Sequence, residues 1–81
     1  MNHLIAVFSS RHDAIAFREL LKGNRIKCVI INTPKEVDKS CGISVKTDYR
    51  NRQKAQILLS LELFQSFKGF YGEKNGVYEQ L

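Results

Sequence analysis

Apolar positions along this chain follow two rhythms, short unbroken runs and three- or four-residue spacings, and the rhythm changes at polar stops. Leu4-Ile5-Ala6-Val7-Phe8 is too short for a helix and ends at Ser9-Ser10, which predicts a buried strand over residues 3–9. Ser10 followed by Asp13 resembles a capping box with aspartate in place of glutamate. The helix it opens places Ala14, Phe17, Leu20 and Leu21 on one stripe, leaves Arg11, Arg18, Glu19 and Lys22 for water, and stops at Gly23-Asn24. Residues 25–32, around the β-branched run Val29-Ile30-Ile31, predict a second strand. Pro34 ends it, because proline has no N–H for a ladder, and the polar residues 35–40 predict a loop.

The second half repeats the plan. Ile43-Ser44-Val45-Lys46-Thr47 alternates apolar with polar, the mark of a half-exposed strand, and Asp48 is placed to cap a helix from about residue 50 to residue 67. In that helix Ile57, Leu61 and Phe64 form one series, and Ala55, Leu58 and Leu59 widen it beyond a single contact face. We read it as a thick core helix, with a dimer surface as the alternative. Gly69-Phe70-Tyr71-Gly72 and Val77-Tyr78-Glu79 are short strand candidates around the turn dipeptide Asn75-Gly76. Strand, helix, strand, strand, helix, strand is the α+β ferredoxin-like split βαβ plan (βαββαβ), an antiparallel sheet with two helices on one face. Unrelated functions share that fold, so it selects none of them.

At 81 residues the chain has room for one domain, residues 1–81, and for one core. Two cysteines do not make the disulfide framework of a small secreted domain, and no N-terminal apolar stretch reads as a signal peptide, so the expected location is the cytoplasm. The apolar runs are far shorter than the roughly 20 residues that span a bilayer. A formal charge of +5 would attract nucleic acid or an acidic protein and does not choose between them.

Chemistry concentrates on Cys41. It stands in the polar stretch 33–43, where Lys35 and Lys39 supply cations that would favour a thiolate, Ser40 a hydroxyl donor, and Gly42 room for a second molecule to approach the sulfur. The ordinary reading of each neighbour is a solvated loop charge or a backbone requirement. Cys28, inside a β-branched run, reads as a small buried hydrophobe. His3, His12 and the two cysteines are too few and too irregularly spaced for a zinc site, no glycine-rich phosphate loop precedes a helix, and no Ser-His-acid set is suggested. No metal and no cofactor are expected, and turnover by this chain alone is not expected.

Thr33-Pro34-Lys35-Glu36-Val37 followed by Ser40-Cys41-Gly42-Ile43, after a strand ending Phe8-Ser9-Ser10 and a helix with Asp13-Ala14, resembles the putative selenium/sulfur carrier-like family of small bacterial proteins. Gly76-Val77-Tyr78-Glu79 also resembles that family's short last strand. The resemblance implies a carrier in which Cys41 holds sulfur or selenium as a persulfide or perselenide. A cysteine desulfurase-like donor would load it and an acceptor protein would unload it; the homodimer is expected on other grounds, the small core of so short a chain and the wide apolar surface of its second helix. The chemistry is compatible: a carrier thiol should stand apart from a second thiol that would resolve the adduct, and the chain has no Cys-x-x-Cys. A ligand-sensing or protein-interaction module of the same fold is the alternative. RNA binding through Lys68, Phe70 and Tyr71 is less favoured, because these residues follow the second helix rather than lying on central strands.

Overall fold

In a computed structural model of the chain, residues 1–40 and 42–81 are described; Cys41 lies outside the described residues. Five strands form one antiparallel sheet: β1 (His3–Phe8), β2 (Cys28–Asn32), β3 (Ile43–Asp48), β4 (Phe67–Lys74) and β5 (Val77–Gln80), in spatial order β2-β3-β1-β4-β5. Helix α1 (Arg11–Gly23) follows β1, and a 3-10 turn (Tyr49–Asn51) leads into helix α2 (Arg52–Ser60). Because β1 and β2 are each antiparallel to β3 and lie on either side of it, they run in the same direction, and the crossover through α1 skips one strand.

Successive residues of a strand point to opposite faces of a sheet, and β1 is apolar on both. Leu4, Ala6 and Phe8 join Ala14, Phe17 and Leu21 of α1 and Ala55 and Leu58 of α2 in a single core. Phe8 sits at its centre, with the rings of Phe17, Phe64 and Phe67 at 5.6, 5.9 and 5.4 Å. Ile5 and Val7 point away from the helices and are nonetheless buried.

Both expected capping side chains are used, Ser10 at the start of α1 and Asp48 at the 3-10 turn before α2, whose own first cap, Asn51, makes no side-chain bond. Ser10 Oγ accepts from the Asp13 N–H, and an Asp48 carboxylate oxygen accepts from the Arg50 N–H. The Asp13 carboxylate does not turn back on the cap as a capping box would. It accepts instead from the N–H and hydroxyl of Ser66, at 3.0 and 2.6 Å, which holds it below the usual carboxylate pKa.

Three boundaries differ from the sequence-based expectation. Residues 25–27 precede β2 rather than belonging to it, because α1 uses Arg25 and Ile26 to close its C-terminus: their N–H groups donate to the carbonyls of Lys22 and Leu21. That is a Schellman closure, and its left-handed residue is Arg25, at φ 63°, rather than Gly23. The second helix is shorter than 50–67. It ends at Ser60, the Leu61 N–H bonds back to the Leu58 carbonyl, and the chain unwinds so that Phe64 and Phe67 reach Phe8. Nor is α2 a thick core helix: Ala55 and Leu58 are buried, whereas Ile57, Leu61 just after it, and Leu63 are exposed. Finally, the strand expected over residues 69–72 is longer: β4 runs for eight residues, Phe67–Lys74, before the expected turn at Asn75-Gly76 leads into β5.

Candidate functional site

The connection between β2 and β3 crosses the sheet face that the helices leave open. Ser44 is paired in register with Val7, so both point to this second face. There the Ser44 hydroxyl meets the Thr33 hydroxyl at 2.7 Å in a fully buried pair. The Thr33 N–H also donates to the Gly42 carbonyl, so the two ends of the connection are joined at backbone and side-chain level. Pro34 starts a tight turn in which its carbonyl accepts from the N–H groups of Val37 and Asp38.

Asp38 fastens the middle of the connection. One carboxylate oxygen accepts from the Ser40 N–H and hydroxyl at 3.0 and 2.7 Å, and the other accepts from Lys68 Nζ of β4 at 2.7 Å. Lys68 Nζ also donates to Ser40 Oγ at 3.3 Å. These bonds span the sheet from the β2–β3 connection to β4, passing β3 and β1. The bond from Lys68 and those from Ser40 hold the Asp38 carboxyl at about 2, well below its ordinary value. Farther across, burial raises the pKa of the Tyr78 phenol on β5, and the charges of Glu36 and Glu73 raise it further, so the connection comes within electrostatic reach of the last strand.

The residues expected around Cys41 therefore divide. Ser40 and Gly42, its neighbours in the chain, are both anchored, the first to Asp38 and Lys68 and the second to Thr33. Gly42 does not leave open space on the side where a side chain would stand, since a Cβ there would meet Thr33 Oγ1 at 2.9 Å. Lys35 and Lys39 are exposed and have no ion-pair partner among the described residues. The cation that does reach the connection is Lys68, thirty residues beyond Asp38, and no local pattern could have pointed to the pair. Cys28 is half-buried, packs on the core, and gives its S–H to the Arg18 carbonyl at 3.7 Å. Burial raises its pKa despite the nearby Lys22 and Arg18. It lies at the far end of β2 from Asn32, where the connection begins.

Among the described residues no three His, Cys, Asp or Glu side chains gather as a metal site would need, and no helix is long and apolar enough to cross a membrane.

The fold and these bonds define a small α+β protein whose β2–β3 connection is fastened through Asp38 and Ser40 across one face of its sheet. Residues 3–70 match the family model described as putative Se/S carrier protein-like, and the chain belongs to that family. The match ends within β4, so the expected likeness over residues 76–79 falls outside it. No curated protein and no solved structure matches the chain.

Proposed function

We propose that the protein carries sulfur or selenium on Cys41 as a persulfide or perselenide, between a donor of the cysteine desulfurase class and an acceptor protein. The observation that carries this reading is membership of the carrier family over a segment that includes the whole β2–β3 connection. In the loading step, the Cys41 thiolate attacks the outer chalcogen of the donor's persulfide or perselenide. A new bond forms to Cys41, the bond to the donor's cysteine breaks, and the donor leaves as a thiolate, so no net oxidation or reduction occurs. In unloading, an acceptor nucleophile attacks the same outer atom and Cys41 leaves as the thiolate.

Lys68 joins Lys35 and Lys39 in the supporting role, because its ammonium group is already held at Ser40, the residue before Cys41. Ser40 and Gly42 support the site through their anchorage. The protein works in the cytoplasm, as a homodimer, and is a carrier rather than a stand-alone enzyme. The strand order β2-β3-β1-β4 favours a ferredoxin-like arrangement with β5 added at one edge.

Intact mass spectrometry after exposure to a cysteine desulfurase and cysteine, or to a selenium-delivering homologue and its substrate, tests the reading. Wild type and Cys28→Ser should gain one chalcogen, and Cys41→Ser should gain none. An unmodified wild-type mass with several donors overturns the carrier role and favours a protein-interaction module.

A further inference from the structure

We infer that the free edge of β2, with the basic cleft beside it, docks an extended acidic segment of a partner protein that adds a sixth strand to the sheet. The inference does not depend on chalcogen transfer. Among the described residues β2 pairs only with β3, so its other edge carries unpaired backbone donors and acceptors, the template for strand addition. Val29 in the middle of that edge is 55% exposed. Beside it lies a cleft of about 740 Å³ in which Lys22, Arg25, Lys27 and Lys46 surround the apolar side chains of Val29 and Ile31.

Charge identifies the occupant. Among the described residues none of these four cations lies within ion-pair distance of a carboxylate, whereas Arg18, Arg50 and Lys68 elsewhere each have one. Asp48 is the one acid in the cleft wall, and it is turned toward Arg50. A strand that alternates apolar and acidic residues would set its apolar side chains on the sheet face of Val29 and Ile31 and its acidic ones on the opposite face, where α1 ends at Lys22 and Arg25. Arg25 points the same way. It occupies the left-handed position of the Schellman closure, where glycine fits without strain, and such strain collects at functional sites.

Two other occupants fit less well. A second copy joined β2 to β2 about a two-fold axis would set the four cations of one molecule against the same four of the other. Nucleic acid needs stacking partners to hold unpaired bases; among the described residues no Phe, Tyr or Trp lines the cleft, and its one ring, His3, is bonded to the Glu73 carboxylate, which would repel phosphate.

The test titrates the full ¹⁵N-labelled chain, at low and high salt, with an end-blocked octapeptide alternating valine and glutamate and with its lysine-for-glutamate counterpart. The expected result is amide shifts over β2 and at Lys46 and Thr47 with the acidic peptide only, weakening as salt rises. Arg25→Gly should weaken binding about tenfold while its melting temperature is no lower than that of wild type, and Lys27→Gln should weaken binding too. Absence of shifts on β2, equal binding of the basic peptide, or unchanged binding by Arg25→Gly overturns the inference. Tighter binding of an oligothymidylate to the same residues, or full displacement of the peptide by inorganic phosphate, also overturns it.

Discussion

A methyl group at position 42 would lie 2.9 Å from Thr33 Oγ1 and 3.4 Å from the Phe8 carbonyl oxygen. Thr33 cannot easily yield, because its hydroxyl is held by buried Ser44 and its N–H by Gly42 itself. Gly42→Ala should therefore cost about 1–3 kcal/mol, the range for forcing atoms into a packed site. A lower urea midpoint with unchanged slope would show it. Arg25 is the opposite case. At φ 63° its Cβ is strained against the backbone, and the closing hydrogen bonds are made by backbone atoms that any residue supplies. Arg25→Gly should stabilise the fold by about 1 kcal/mol, seen as a melting temperature roughly 4–8 °C higher. At this scale the sequence was legible where one residue type has one local use, as with the caps Ser10 and Asp48. It was legible too at Gly23-Asn24, where α1 stops, but it did not show that Arg25 takes the left-handed position or that Thr33 lies against Gly42, because both depend on which atoms come to lie beside them.

Among the elements, α2 shows how adjacent apolar residues part company. Ile57 and Leu58 follow one another in an unbroken apolar run, and such a run does not reveal its own phase. In the structure Leu58 is 6% exposed and joins the core, while Ile57 is 56% exposed. Leu58→Ala should destabilise by about 2–5 kcal/mol through lost burial and the cavity left behind. Ile57→Lys should stay within about 0.5 kcal/mol of wild type in the monomer. Paired chemical-denaturation curves check both. Equal losses would mean that a second surface covers Ile57 in solution. The early end of this helix has the same origin, since Phe64 and Phe67 gain more against Phe8 and its neighbours than two further helical turns would provide.

For the molecule as a whole, the tie from Asp38 and Ser40 to Lys68 fastens the β2–β3 connection to β4 across the open sheet face. Its pH dependence follows from the depressed Asp38 pKa. The ordinary value is 3.8 and the folded value about 2, so the tie's contribution is fully present above the ordinary value and is lost as pH falls through the folded one. A carboxyl ¹³C titration should place the Asp38 midpoint near 2, and Lys68→Met should raise it toward 3.8 and speed amide exchange at Ser40. A midpoint unmoved by Lys68→Met would show that the tie does not hold in solution. From the sequence alone came the order of elements from β1 through β4, the capping roles of Ser10 and Asp48, the polar connection after Pro34, and the core stripe of α1, because each is set by spacing and by chemistry within a few residues; the expected βαββαβ plan did not include the fifth strand. Only the tertiary structure decided that the connection folds over the second sheet face, that Lys68 of β4 is tied to it, and that four cations gather beside a free strand edge. Those outcomes depend on strand order and on contacts between residues far apart in the chain, and local periodicity carries no record of either.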